Sequence, residues 1–71
     1  MKELERVLKA LANRRRLAIV KYLRKAKEST VGDIAEEIKL SFKATSKHLG
    51  ILAQANVVDK DQRSLSMWYR L

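Results

Sequence analysis

Lys43, Ser46, Lys47 and Gly50 recur at i, i+3, i+4 and i+7, so on a helix they share one face. Thr45, Leu49 and Leu52 share the opposite face. A lysine ammonium can donate to guanine O6 and N7 or to phosphate, and a serine hydroxyl can serve either. A cationic, hydroxyl-bearing edge backed by an apolar stripe suits a helix that rests on a core and presents donors to the major groove of a duplex. The bland alternative is a solvated polar face, which is the commoner fate of such a stripe. The distribution of charge weighs against it. Residues 39–56 contain no acidic side chain, while Lys39, Lys43, Lys47 and His48 all fall there.

Other residues could extend this chemistry. Ser41 is expected to cap the helix, and the free amides beside it can receive a phosphate. Phe42 lies between the two faces and is expected to staple the helix onto Leu40 and the core, although it stays among the candidate contacts. His48 has no second histidine, cysteine or carboxylate on its face. It reads as a partly buried ring packed on a neighbour, or as a contact to the DNA backbone, and not as a metal ligand or sensor. Arg63 falls in a polar connection expected between two strands, from which an arginine could reach the minor groove or a phosphate; a solvated arginine fits as well. Arg14 and Arg15 could add phosphate contacts, while Arg16 lies within an apolar stripe and reads as structural. The candidate interface is therefore Ser41, Phe42, Lys43, Ser46, Lys47, His48 and Arg63.

Composition bounds the alternatives. The 71 residues make a single domain, 1–71, near the lower size limit for one unstapled core, and 46% of them are hydrophobic. The formal net charge is +8, which favours a polyanionic partner such as DNA, RNA or an anionic membrane surface. No cysteine is present, which removes disulfides, thiolate metal sites and a cysteine nucleophile. The start MKELERVL has no apolar run, so neither a signal peptide nor a membrane span is expected there, and a cytoplasmic location follows by default. The carboxylates form no catalytic constellation. Asp33 serves a helix cap, Glu36 and Glu37 an exposed helix face, and Asp59 and Asp61 an exposed strand. Glycines occur only at 32 and 50, inside helices, so no phosphate-cradling loop exists. An enzyme is not expected, nor a cofactor.

Four helices must position these groups. Leu4, Val7, Leu8 and Leu11 mark the first, at 2–12, with a stripe expected to serve the core. Asn13 is a cap, and the second helix, at 14–26, carries Leu17, Val20 and Leu23 inward with Ile19 at one edge. Lys25, Lys27, Glu28 and Ser29 read as a loop. Thr30 opens the third helix, in a capping-box arrangement with Asp33, and Val31, Ile34, Ala35 and Ile38 face inward. After a short connection at 39–40, Ser41 begins the fourth helix, at 41–55, where Thr45 is expected to bond a backbone carbonyl one turn earlier. Asn56 suits a left-handed stop. Two strands follow within 57–71, joined by a polar connection around 61–64, with Leu65, Met67, Tyr69 and Leu71 on one face and Ser66, Trp68 and Arg70 on the other. The fold class is mostly α with a small β-hairpin, four helices and then a two-stranded wing.

In this order the residues resemble the winged helix-turn-helix regulators of the ArsR family, across nearly the whole chain. LKALANRRRLAIVKYL resembles the family's opening, with the Arg-Leu pair at Arg16-Leu17. VGDIAEEIKLSFKATSKHLGIL resembles its helix-turn-helix, including Ser-Lys-His-Leu at Ser46 to Leu49, and MWYRL its aromatic second wing strand. The resemblance implies a DNA-binding transcriptional regulator, more specifically a repressor, reading duplex DNA with helix 41–55 in the major groove and hairpin 57–71 as the wing. The alternative is a winged-helix module binding another protein or structured RNA. The chain also departs from the family. Lys39 stands where members place glycine in the turn, and a left-handed lysine there would cost roughly 1 kcal/mol. The wing turn lacks its usual glycine. The cysteines of the metal-sensing branch are missing from the start of the third helix. The histidine and carboxylate site of another branch would fall beyond Leu71, so no metal response is expected. The family pairs through its terminal helices, of which only the first lies within this sequence, so a weak homodimer is the expected assembly.

Overall fold

A computed structural model describes residues 1–71. The elements are α1 (Lys2–Leu11), α2 (Arg14–Ala26), β1 (Glu28–Thr30), α3 (Val31–Ile38), α4 (Phe42–Gln54), β2 (Asp59–Arg63) and β3 (Ser66–Arg70). Local chemistry fixes most boundaries. The Asn13 side chain accepts from the amides of Arg15 at 2.9 Å and Arg16 at 3.1 Å, which starts α2 against an otherwise unfavourable run of three arginines. Thr30 Oγ1 accepts from the Asp33 amide at 3.3 Å to start α3. Only this half of the expected capping box forms, because Thr30 already belongs to β1 and faces Trp68 of β3. The left-handed stop at Asn56 is present, with φ 61°.

The strands differ from the expected two-stranded wing. The sheet has three strands in the order β1-β3-β2, all antiparallel, because Glu28–Thr30 is a strand and not part of a loop. Such a three-residue segment has no periodicity of its own; its partner, β3, lies about forty residues away in sequence, at Trp68 to Arg70. The hairpin turn is also tighter than the sequence suggests. Arg63 pairs with Ser66, so only Ser64, at φ 56°, and Leu65 lie at the tip. Leu65 is consequently 97% exposed and does not share the inward face of Met67 and Tyr69. Val57 and Val58 precede β2, which begins at Asp59, and Val58 enters the core from that connection.

Ile19, Leu23, Ile34, Leu49 and Leu52 form the fully buried centre, joined by Ala10, Val31, Ala55, Val58 and Tyr69. In α2 the core axis therefore passes through Ile19 and Leu23, while Leu17 stands 50% exposed. The expectation for α1 holds only at the end of its stripe, where Leu11 packs against the core. Only Ala10 is buried, and Leu4 and Leu8 are 48% and 58% exposed. The helix meets α2 and α4 along the Ala10 side, so the side bearing Leu4 and Leu8 has no partner within the chain. Ala35 is buried, and its small side chain lets α3 and α4 pack closely.

Candidate nucleic-acid interface

The turn between α3 and α4 sets the direction of the fourth helix. Lys39 is left-handed there, at φ 57° and ψ 50°, and the Leu40 amide reaches back to the Ala35 carbonyl at 3.0 Å. Ser41 then caps α4 by accepting from the Ala44 amide at 3.1 Å. Thr45, Leu49 and Leu52 are fully buried, which locks the rotation of α4 about its axis. That rotation leaves Lys43, Lys47 and Gly50 exposed, with Ser46 half-buried beside them. Neither lysine is engaged in an intramolecular ion pair: the two in the molecule both belong to Arg63. Thr45 Oγ1 is buried without a hydrogen-bond partner, contrary to the expected bond to a carbonyl one turn back.

Phe42 is 63% exposed and does not staple α4 to the core. It sits in the first turn and lines a cleft of about 410 Å³ with Val31, Met67 and the tip residue Leu65. The start of α4 and the end of the hairpin thus border one concave surface.

The other two candidates are turned elsewhere. His48 is half-buried, and its Nδ1 lies 3.2 Å from Arg16 Nη1. A guanidinium only donates, so Nδ1 accepts and the ring proton sits on Nε2. Burial, then the positive charges of Arg16, Lys47 and Arg15, hold the ring below its ordinary value of 6.5. His48 is thus a neutral imidazole facing α2. Arg63 lies at the end of β2, but its guanidinium runs back over the Trp68 ring, 5.1 Å from the centroid. It donates to Glu28 Oε1 and Oε2 at 2.8 and 2.9 Å and to Asp61 Oδ2 at 3.1 Å. These carboxylates raise its already high pKa, and its own hydrogen bond to Glu28 holds that carboxyl below the ordinary range. Two carboxylates therefore already neutralise the charge expected at the wing.

Arg16 connects more of the molecule than the sequence revealed. It donates from Nε to the Ala10 carbonyl and from Nη2 to the Lys9 carbonyl at 3.5 Å, besides its contact with His48. The Arg-Leu and Ser-Lys-His-Leu segments, 32 residues apart at the contact, meet here. Glu28 was likewise invisible as a partner of Arg63, because only the β1–β3 pairing brings it near. No group of three or more His, Cys, Asp or Glu side chains is placed to hold a metal ion. No helix is long and apolar enough to cross a membrane.

A helical core that presents α4 beside a β-hairpin defines a winged helix-turn-helix domain. A family model for the bacterial regulatory proteins of the arsR family matches residues 13–60. The transcriptional repressor SdpR of Bacillus subtilis strain 168 is 37% identical over 65 residues, which cover 92% of this chain and 71% of that protein. The solution structure of a homodimeric winged helix-turn-helix DNA-binding domain from Mycobacterium bovis superposes with a TM-score of 0.93 at 31% identity. That match covers 99% of this chain and 64% of the M. bovis one. The transcriptional repressor BigR of Xylella fastidiosa gives 0.87 at 28% identity, over 99% of this chain and 70% of its own. The chain belongs to the arsR family of bacterial regulatory proteins, and it is a DNA-binding transcriptional regulator.

Proposed function

We infer that the chain is a cytoplasmic repressor that binds duplex DNA sequence-specifically, with α4 in the major groove and the β2–β3 hairpin as its wing. The observation that carries this reading is the face of α4. Lys43 and Lys47 stand exposed and unpaired around Ser46, on a helix whose opposite face is fully buried. Lys43 and Ser46 are the base-reading candidates. Lys47 and the Ser41 end of the helix are the phosphate contacts, and Phe42 abuts the sugar-phosphate edge from the adjoining cleft. His48 supports the placement of the helix instead of touching DNA, and Arg63 orders the wing through Glu28, Asp61 and Trp68.

The active species is a homodimer. The uncovered α1 stripe at Leu4 and Leu8 supports this assembly, as does the homodimeric state of the M. bovis neighbour. Two copies would read half-sites about 34–36 Å apart, or a multiple of that. Titration against duplex DNA and duplex RNA at two salt concentrations tests the reading. Preference for DNA with a steep salt dependence supports it, whereas tighter binding to RNA, or saturable binding to neither, overturns it.

A further inference from the structure

The Arg16 guanidinium makes contacts to two helices at once. Its Nε bonds the Ala10 carbonyl and its Nη2 the Lys9 carbonyl, which the Ala12 amide also reaches at 3.3 Å, both at the end of α1, and its Nη1 meets His48 Nδ1 of α4. Arg16 itself sits in the first turn of α2. A neutral ring can accept this bond. A protonated ring donates from both nitrogens and would set a second cation 3.2 Å from the first. The surroundings offer the imidazolium nothing in exchange. The charges acting on His48 are Arg15 and Arg16 from α2 and Lys47 from α4, all positive. From α1, Lys9 is one more cation; Glu5 lines the cleft beside Arg16 but pairs with neither group.

We propose that Arg16 and His48 are positioning residues of the DNA interface. The guanidinium clamps the last turn of α1 to α4 through the neutral imidazole, and the clamp opens when the ring takes up a proton. The clamp ties the helix proposed for dimer contact to the helix proposed for base reading, so acidification weakens operator binding. The DNA consequence rests on the reading of α4 given above; the clamp itself does not. The sign follows from the geometry: the clamp uses Nδ1 as an acceptor, so a proton on that nitrogen competes with Arg16 and opens the arrangement that holds α4. For the fold itself, the contribution of the neutral ring is complete above 6.5 and is lost as the pH falls below it.

The test compares the chain with His48→Asn and Arg16→Lys. Asparagine places an amide oxygen where Nδ1 stands, which keeps the acceptor and removes the titration. Lysine keeps the charge but not the fork. Affinity for a duplex selected from a random pool is measured at about pH 7.5 and about pH 5.5, a span bracketing an ordinary histidine. The parent should lose a few-fold more affinity than His48→Asn across that interval, since one proton on a ring that titrates below 6.5 sets a ceiling of about tenfold at the lower pH. Arg16→Lys should bind more weakly at the upper pH and show no extra loss at the lower. Parallel behaviour of parent and His48→Asn would overturn the proposal. So would tighter binding by the parent on acidification, the signature of a histidinium turned to phosphate. Nitrogen NMR of the free protein supplies a readout independent of DNA. His48 should carry its proton on Nε2 at neutral pH and titrate below a free histidine, and a proton on Nδ1 there would remove the clamp. If duplex binding fails altogether, the reading of α4 falls, while this spectrum still decides the clamp.

Discussion

Thr45→Val should stabilise the protein without changing its affinity for DNA. Thr45 is fully buried in α4 between the helices, and its hydroxyl has no hydrogen-bond partner. A buried, unsatisfied hydroxyl costs about 1–3 kcal/mol in lost hydration. Valine replaces it with a methyl of nearly the same volume, and the two residues have similar helix propensity. A gain of about 1–2 kcal/mol follows, which for a domain of this size is a rise in Tm of about 4–8 °C per kcal/mol. The core makes such a gain measurable, since only 13 of 71 residues are buried and each carries a large share of the stability. Thermal and urea unfolding of parent and variant give the number, and duplex titration at one salt concentration gives the control. Affinity should be unchanged because Thr45 lies on the face opposite Lys43 and Lys47. A lower Tm for the variant would refute the reasoning, since it would mean the hydroxyl is satisfied, most simply by the Ser41 carbonyl one turn earlier.

Four further outcomes are expected. Gly50→Ala should add about 1 kcal/mol by helix propensity, because nothing lies within 4 Å of the added methyl in the free protein; a simultaneous loss of DNA affinity would locate the duplex backbone at that residue. Lys39→Gly should raise stability by up to about 0.5 kcal/mol in urea unfolding, since the left-handed strain of lysine at φ 57°, roughly 1 kcal/mol, exceeds the roughly 0.5–1 kcal/mol of entropy that glycine adds to the unfolded chain. Glu28→Gln should flatten the acid limb of the stability profile. Arg63 holds the native carboxyl below its ordinary value of 4.5, so the ion pair contributes above that value and is lost as the pH falls through the native one. Leu4→Gln with Leu8→Gln should leave the fold intact by circular dichroism and shift sedimentation toward monomer, with weaker binding to a palindromic duplex; an unchanged oligomer would place the dimer contact elsewhere.

What the sequence disclosed follows the range of the interactions involved. The inward set Thr45, Leu49, Leu52 and the outward set Lys43, Ser46, Lys47, Gly50 rest on helical periodicity within thirteen residues of α4; the inward set is buried as read, and the outward set is exposed except for the half-buried Ser46. The caps at Asn13, Thr30 and Ser41 act across two or three residues and were equally legible. Non-local features were not. β1 exists because β3 returns beside it, and that pairing gives Arg63 the Glu28 carboxylate and turns it away from the wing tip. The α1 stripe at Leu4 and Leu8 was identified as apolar, but periodicity cannot distinguish a face covered by the core from one left for a second molecule. The clamp between Arg16 and His48 depended on two segments meeting in space, although Arg16 already stood out as a charge within an apolar stripe.

The central claim is that the exposed face of α4 reads the duplex. Its most direct test is the chain carrying both Lys43→Ala and Lys47→Ala, shown by circular dichroism to keep its fold, titrated with duplex DNA over a range of salt. Both side chains are exposed and unpaired, so the substitutions leave the core untouched. The account predicts a large loss of affinity at physiological salt and a salt slope reduced by about 1 for each phosphate contact removed. Parental affinity with an unchanged slope would contradict it and move the interface off the fourth helix.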